Sequence, residues 1–305
     1  MISVIMSTYK EEERLLRESI ESILNQTYRD FEFIIILDNP DNEIHKRVIQ
    51  EYVEKDSRIC FRINSDQHGR TIALNRAIGL SKGDYIAIMD ADDIALPNRL
   101  EDELEYIIQN DYDLIGGITQ VIDEEGNDLY GIKKVPSDSN KIYKCLKYGQ
   151  VIAHPTWLGK RDVFISLDGY RPIPLCEDYD FTLRAALKGY RISNLNKTVL
   201  KYRMTTKSVS RSNLFEQYLY LCFITKAYKN GMEVDVEEAK SYVKNHNDLK
   251  CSKRYSRANV IFNRMLKEME TKQILPFVKD GFCLLFASKY FLDRIRRFFM
   301  LSIQK

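Results

Sequence analysis

The chain has 305 residues and a formal net charge of +2, with 44% hydrophobic and 30% charged residues. This length suits one large domain or two ordinary ones, and the composition is that of a globular rather than a disordered protein. The charge gives no indication of a nucleic-acid partner, and six dispersed cysteines and four dispersed histidines predict reduced thiols, a cytosolic location and no zinc site.

The first ninety residues alternate between short apolar runs and segments with helical periodicity. Strands are predicted at 2–8, 31–38, 58–63 and 84–90, and helices at 11–26, 42–56 and 71–81. Continuous apolar strands separated by helices predict a parallel sheet that is covered on both faces. Such sheets bind ligands at the carboxyl ends of their strands, where Thr8, Asp38 and Asp90 lie.

The alternation loosens after Asp111. A hairpin is predicted at 112–123 and 127–135, a helix at 139–149, a strand and turn within 151–164, a helix at 177–192 and a polar loop at 208–214. The remainder is predicted to be mainly helical, so we expect two units, 1–213 and 214–305. The N-terminus is interpreted as a strand rather than a signal peptide, and no apolar run approaches the ~18–20 residues of a membrane-spanning helix.

An acidic cluster, Asp90, Asp92 and Asp93, follows the apolar strand in "YIAIMDADDIALPNRL" (85–100). One interpretation is a solvated turn in which Asp93 caps the next helix. The other is a ligand site, because carboxylates crowded in the crevice of a sheet have raised pKa values unless a cation offsets their repulsion. Their hard oxygen atoms suit Mg²⁺ or Mn²⁺. The fully apolar run before the cluster favours the ligand site.

Three segments in this order resemble glycosyltransferase family 2: "SVIMSTYKEEERLLRESIESILNQTYRDFEFIIILDN", "NRAIGLSKGDYIAIMDADD" and "LCEDYDFTLRAALKGYRI". The resemblance covers roughly residues 1–210. It implies the α/β GT-A fold, with a Rossmann-like, mainly parallel nucleotide-binding sheet, helices on both faces and here a helical C-terminal extension. It also implies inverting transfer of a sugar from a nucleotide-sugar, most simply a UDP-sugar, to a hydroxyl of a saccharide or lipid-linked saccharide, in cell-surface polysaccharide synthesis.

The resemblance implies contacts to the nucleotide at the ends of the first two strands. Ser7, Thr8 and Tyr9 would lie near the base, although a strand terminus and a packing tyrosine would explain them equally. Asp38 occupies the first position of a pair of acids in the family, and Asn39 replaces the second. An amide oxygen can still accept the imide hydrogen of uracil, so uridine remains the expected base.

The resemblance also assigns residues around the diphosphate. Arg70 matches a basic position beside the nucleotide, with a solvated arginine before a helix as the alternative. Asp90 and Asp92 match the DxD motif, in which Asp92 would be the main ligand of a Mn²⁺ or Mg²⁺ ion. Asp90 would contact the ribose, or the metal through water. The metal would act as a Lewis acid on the leaving diphosphate.

The "CEDYDF" segment implies the acceptor side of the site. Asp178 would be the catalytic base and Glu177 would bind the acceptor, whereas Asp180 is expected to be an acid in the first turn of a helix. Helix N-terminal preference alone could also explain Glu177 and Asp178. His154 could contact the acceptor or be structural, and Trp157 is expected to fill the core rather than stack on a sugar.

Two later segments carry basic residues. The segment 202–213 resembles a loop that closes over the donor, where Arg203, Lys207 and Arg211 could meet the diphosphate or be solvated. Residues 272–305 carry seven basic residues against two aspartates. Within them, 274–300 is rich in Phe, Leu and Ile, which fits either a packed helix or an amphipathic helix on an anionic membrane at the inner face of the cell membrane.

Other classes fit less well. A sugar-1-phosphate nucleotidyltransferase is expected to have a glycine-rich loop after the first strand, and "STYKEEE" has no glycine. A non-catalytic nucleotide- or carbohydrate-binding module would not need Asp92 and Asp178. An oxidoreductase is disfavoured because no GxGxxG motif follows a strand.

Overall fold

The computed structural model describes residues 1–131, 134–205, 213–270 and 274–304. Its strands are β1 (Ile2–Thr8), β2 (Phe31–Leu37), β3 (Ile59–Ile63), β4 (Tyr85–Asp90), β5 (Ile94–Ala95), β6 (Leu114–Ile122), β7 (Asp128–Gly131), β8 (Leu158–Lys160) and β9 (Ile192–Arg203). Its helices up to residue 187 are α1 (Glu13–Leu24), α2 (Glu43–Val53), α3 (Arg70–Leu80), α4 (Arg99–Gln109), α5 (Ser139–Cys145), α6 (Arg161–Ser166) and α7 (Glu177–Leu187). Five further helices are α8 (Leu214–Lys229), α9 (Val236–His246), α10 (Leu249–Glu270), α11 (Ile274–Ala287) and α12 (Lys289–Gln304).

The first four strands form the parallel half of the sheet, in the order β3-β2-β1-β4. Alternate side chains of β1 enter different cores, because successive side chains of a strand point to opposite faces. Val4 and Met6 pack with Leu16 of α1, whereas Ile5 packs with Leu74 of α3. The predicted α/β alternation and the two-faced coverage of the sheet are therefore confirmed.

The second half of the sheet is mixed. It continues from β4 as β8-β6-β9-β5, with β8 antiparallel to its neighbours and β9 parallel to β6. The helix predicted at 177–192 ends at Leu187, and the prediction missed β9 altogether. Gly189 has φ of +80°, the left-handed conformation that commonly ends a helix. The chain then turns into β9, whose polar middle gives no strand-like alternation.

The C-terminal helices share a hydrophobic cluster with the sheet domain. Phe215 of α8, Tyr255 of α10 and Phe291 of α12 belong to the same buried cluster as Trp157 and Phe181. The division into 1–213 and 214–305 stays a prediction. Within the described part of the chain, no helix combines the length and apolarity that crossing a membrane requires.

Candidate functional site

Asp93, the last residue of the acidic cluster after β4, does not cap a helix. The next helix, α4, begins only at Arg99, so the alternative interpretation in which Asp93 caps it is wrong. Asp93 is buried and accepts a hydrogen bond of 2.8 Å from the backbone N–H of Arg203. This bond ties the end of β4 to β9. Burial, with the charges of Asp90 and Asp92, raises the pKa of Asp93 well above its ordinary range.

Arg203 is a structural residue rather than a contact to a ligand. Its side chain is 0% exposed, and its guanidinium donates to the backbone oxygen of Asp92 (2.9 Å) and to the carboxylate of Glu18 (2.7 Å). The expectation that Arg203 meets a diphosphate or is solvated is therefore wrong. Lys207 and Arg211 lie outside the described residues.

Arg70 joins the two predicted halves of the site. It is the first residue of α3, and its guanidinium contacts Asp90 Oδ1 at 2.5 Å and Glu177 Oε1 at 3.0 Å. It also lies 3.1 Å from Nδ1 of His154. One cation thus holds the carboxyl end of β4 beside the first turn of α7, although these elements are far apart in the sequence.

His154 supports Arg70 as a neutral, buried imidazole. Burial and the positive charge of Arg70 lower the pKa of His154 to about 3. Because arginine can only donate, Nδ1 accepts from Arg70 and Nε2 carries the proton, which it donates to the Tyr170 hydroxyl at 2.9 Å. Trp157 packs edge-on against the His154 ring, with ring centroids 4.6 Å apart, and is fully buried, so its expected core role is confirmed.

Tyr170 is a site residue that the sequence did not indicate. Asn75 of α3 holds it by both backbone groups, with hydrogen bonds of 2.8 Å to its N–H and C=O. The preceding Gly169 has φ of +61°, and a Cβ there would lie 2.3 Å from Oδ1 of Asn75. Only glycine fits at position 169, because Asn75 approaches the backbone so closely. No local sequence pattern indicates that Tyr170 lies beside His154.

The carboxylates at the site fall into two pairs, and in each pair Arg70 forms an ion pair with one member. In the first pair, burial disfavours ionised Asp90, but the charge of Arg70 outweighs burial and holds the pKa of Asp90 below its ordinary value. Burial and the charge of Asp90 raise the pKa of its neighbour Asp92 to about 7. In the second pair, Glu177 accepts the other ion pair from Arg70. Burial and the charge of Glu177 raise the pKa of Asp178 to about 7.

Asp92 differs from Asp90 in that Arg70 forms no ion pair with it. Arg70 already occupies one oxygen of Asp90, whereas the pKa of Asp92 is raised because burial and the negative charges of Asp90 and Glu11 outweigh the positive charge of Arg203. Among the described residues no group of three or more His, Cys, Asp or Glu side chains could hold a metal. Asp90 and Asp92 offer carboxylate oxygens at the carboxyl end of β4, the kind of ligand that hard cations take, and their role toward a metal stays a prediction.

The end of β1 contains a further carboxylate that the sequence analysis missed. Thr8 donates a hydrogen bond of 2.6 Å to Glu11, which also accepts from the backbone N–H of Tyr9 at 2.9 Å. The charge of Glu11 contributes to the raised pKa of Asp92, which places Glu11 within electrostatic reach of the acidic cluster. Because α1 begins only at Glu13, Thr8 and Glu11 are not a helix-capping pair, and no helix signal in the sequence pointed to Glu11. Ser7 is half-buried and pairs in register with Asp90.

The end of β2 shapes the loop before α3. Asp38 is buried, and its carboxylate accepts hydrogen bonds from the Asn64 side chain and from the backbone of His68 and Gly69. Asn39 donates to the backbone oxygen of Tyr9 at 3.3 Å. The Tyr9 hydroxyl donates to Gln67 of this same loop at 3.0 Å. The roles of Tyr9, Asp38 and Asn39 toward a nucleotide stay predictions.

Asp180 belongs to a buried ion-pair network rather than to the reactive cleft. It lies in the first turn of α7, as expected, and is 2% exposed. Its carboxylate pairs with Arg171 and, at 2.8 Å, with Arg184. The pair with Arg171 fixes the start of α7, which carries Glu177 and Asp178, against the preceding loop, whereas the pair with Arg184 lies within the helix.

Comparison with known proteins identifies the family. The family described as glycosyl transferase family 2 matches residues 3–167. An uncharacterised glycosyltransferase of Methanocaldococcus jannaschii is 39% identical over 75% of this chain and 79% of its own length. The O-antigen biosynthesis glycosyltransferase WbnJ of Escherichia coli is 38% identical over 70% of this chain and 84% of its own length.

The fold has a relative among solved structures. TarS of S. aureus (residues 1–349, in complex with UDP-GlcNAc) superposes with a TM-score of 0.61 at 16% identity, covering 87% of this chain and 80% of that one. The similarity supports the expected GT-A architecture with added C-terminal helices. On the match of the family to more than half of its length and on its close relatives, the chain belongs to glycosyltransferase family 2.

Proposed function

We propose that this chain is an inverting glycosyltransferase that moves a sugar from a nucleotide-sugar to a hydroxyl of a saccharide or lipid-linked saccharide. One observation carries the proposal: Arg70 binds both Asp90 of the DxD motif and Glu177 of the acceptor motif. A donor diphosphate near Asp90 and an acceptor hydroxyl near Glu177 would thus lie on two sides of the Arg70 guanidinium.

Asp178 is the proposed catalytic base. A base is most effective when its pKa lies near the working pH, and the pKa of Asp178 is raised to about 7. It would take the proton of the acceptor hydroxyl as that oxygen attacks the anomeric carbon. The transition state has oxocarbenium character, and a single displacement from the face opposite the leaving diphosphate inverts the configuration.

The other residues are proposed to bind and orient. Asp92, with Asp90, would hold a Mn²⁺ or Mg²⁺ ion, which when bound supplies Lewis acidity for the leaving diphosphate. Arg70 reduces the negative charge that Asp90 would present to a diphosphate, and neutral His154 keeps the guanidinium in place. Glu177 would orient the acceptor.

The base of the nucleotide is proposed to lie at the ends of β1 and β2. Ser7, Thr8 and Tyr9 would line its pocket together with Asp38 and Asn39. UDP-sugars are the first donors to test, because TarS was crystallised with UDP and with UDP-GlcNAc. The names of WbnJ and of the amylovoran biosynthesis glycosyltransferase AmsE of Erwinia amylovora motivate a role in cell-surface polysaccharide synthesis. We also propose a cytosolic location, with peripheral membrane contact through residues 274–300.

The test is a panel of UDP-, GDP- and dTDP-sugars, measured for binding and for donor hydrolysis with and without Mn²⁺. We expect one donor to bind in a metal-dependent manner, Asp92→Asn to lose that binding, and Asp178→Asn to keep it without turnover. Absence of binding by every nucleotide-sugar would contradict the proposal and favour a carbohydrate-binding module. Formation of a nucleotide-sugar from a sugar phosphate would instead indicate a nucleotidyltransferase.

A further inference from the structure

Helix α11 presents a continuous apolar face to solvent. Five large side chains on it are 58–84% exposed: Leu275, Val278, Phe282, Leu285 and Phe286. Their spacing places all five on one side of the helix. We call these five residues the α11 face. Contiguous exposed apolar surface of this kind is uncommon on soluble proteins and marks a site of contact with another phase or molecule.

The opposite side of α11 is already packed, so the exposed face is not a poorly formed core. Leu284 is 2% exposed and Asp280 is 4% exposed. Asp280 receives a two-point ion pair from Arg264 of α10, with distances of 2.5 and 2.7 Å. Arg254 of α10 also donates to the backbone oxygens of Phe286 and Ala287. The rotation of α11 about its axis is therefore fixed, with the apolar side outward.

The exposed charged side chains that the structure describes in α10, α11 and α12 have one sign. Among the described side chains between residues 250 and 304, every exposed charged group is basic: Lys250, Lys253, Arg254, Arg257, Arg264, Lys279, Lys289 and Arg296. The described acidic side chains in the same span are buried or half-buried. Large apolar side chains flanked by lysine and arginine are the composition of helices that lie in the headgroup region of anionic membranes.

We propose that the α11 face inserts into the interfacial region of a bilayer that contains anionic lipid, with the basic residues of α10 and α11 contacting the headgroups. The inference deepens the proposed membrane contact and rests on it. It assigns insertion to α11, whereas α12 begins as a packed helix, with Phe291 fully buried and Arg297 paired to Asp293 at 2.7 Å.

Charge favours lipid over a second copy of this chain as the occupant. A two-fold contact through the same face would bring the two basic surfaces together, and like charges across an interface oppose association. Anionic headgroups instead neutralise these residues and so favour binding of this surface to the membrane.

The first experiment measures sedimentation of the full chain with vesicles of phosphatidylcholine alone and of phosphatidylcholine and phosphatidylglycerol in equal parts. We expect binding to the anionic vesicles that weakens with salt. The double variant Phe282→Ser/Phe286→Ser should bind at least about tenfold more weakly, because it replaces the two aromatic members of the five-residue face that inserts. The matched control is Ile44→Ser/Ile108→Ser, which removes two exposed isoleucines (53% and 57%) from α2 and α4. It should bind as wild type does.

A second readout uses Cys283, the one cysteine of the six that is exposed. It lies beside Phe282, so an environment-sensitive fluorophore on it should shift its emission to the blue when anionic vesicles are added. The Cys283→Ser variant corrects for labelling elsewhere. An unshifted emission, or equal vesicle binding by wild type and by the Phe282/Phe286 variant, overturns the proposal.

Oligomeric state and catalysis separate the remaining outcomes. A wild-type dimer that becomes monomeric in the Phe282/Phe286 variant, without vesicle binding, would overturn the proposal in favour of a second copy. Because vesicle binding needs no turnover, Asp178→Asn should bind vesicles as wild type does. Failure of the proposed reaction would therefore leave this result unchanged, and failure of membrane binding would leave donor hydrolysis unchanged.

Discussion

The end of β4 and the start of α7 each carry a pair of acidic residues, and the two pairs share one cation, Arg70. In each pair Arg70 binds one carboxylate, Asp90 or Glu177. In each pair the other carboxylate, Asp92 or Asp178, has its pKa raised to about 7 by burial and by its acidic neighbour. Arg70 thus forms an ion pair with one carboxylate of each pair, and the other carboxylate has a raised pKa.

Asp92 and Asp178 differ in their position and in the cation that each is proposed to bind. Asp92 lies at the carboxyl edge of the parallel strands, where a diphosphate and a metal would bind. Asp178 lies in the first turn of α7, on the acceptor side. In the proposed function, Asp92 would bind a metal and Asp178 would accept a proton. Replacing the members of each pair should therefore separate binding of the donor from chemistry.

The largest effect is expected at Asp178. Asp178→Asn should lower kcat by about 10³-fold, because an amide cannot accept the acceptor proton. The dissociation constant of the donor should stay near that of wild type. Steady-state kinetics with calorimetric donor binding checks both. The matched variant Glu177→Gln should act mainly through a higher KM for the acceptor. A kcat loss for Glu177→Gln as large as that for Asp178→Asn would contradict these separate roles.

Arg70 is expected to have the next largest effect, and on both pairs at once. Arg70→Met keeps a similar length without charge, and we expect about a 10²-fold lower kcat/KM because two carboxylates lose their shared cation. Arg70→Lys should recover only part of this, since a single ammonium cannot repeat the forked contacts to Asp90, Glu177 and His154. Donor binding and acceptor KM should both worsen. Full recovery by lysine would show that charge alone matters.

The sequence predicted the donor side better than the way the two sides meet. The parallel strands follow local apolar runs, so the positions of Thr8, Asp38 and Asp90 at one edge could be predicted and are confirmed. The bridge from Arg70 to Glu177 depends on β8 and β9 closing the mixed half of the sheet. Neither the pairing of β9 nor the approach of α7 has a local signature in the sequence.

The contact between Asp93 and Arg203 also could not be predicted from local sequence patterns. An acid shortly before a helix predicts a cap, but the chain inserts β5 first and α4 begins at Arg99. Asp93 instead receives the N–H of Arg203 from a strand 110 residues later in the chain. Only the tertiary pairing of β5 with β9 brings these groups together.

The pH dependence of kcat/KM sharpens the assignment of the base. Because the pKa of Asp178 is raised to about 7, the ionised base is scarce below that pH. Activity should fall about tenfold for each pH unit below the pKa and level off above it. Glu177→Gln removes a negative charge that raises the pKa of Asp178, so its inflection should move to lower pH. A profile that is flat between about pH 5 and 8 would rule out Asp178 as the base.

The smallest effect is on stability, and it has a defined sign. The folded protein holds the proton of Asp178 up to a pKa of about 7, whereas the ordinary value of the carboxyl group is 3.8. The free energy of unfolding should therefore fall as pH rises between these values, because the folded state binds more protons than the unfolded state. Asparagine does not ionise, so Asp178→Asn should melt about 5–10 °C above wild type near pH 8, with the difference vanishing near pH 4. Thermal unfolding at both pH values checks this. The exposed Asp66→Asn is the control for replacing an aspartate by asparagine. A lower Tm for Asp178→Asn near pH 8 would mean that the ionised carboxylate stabilises the fold.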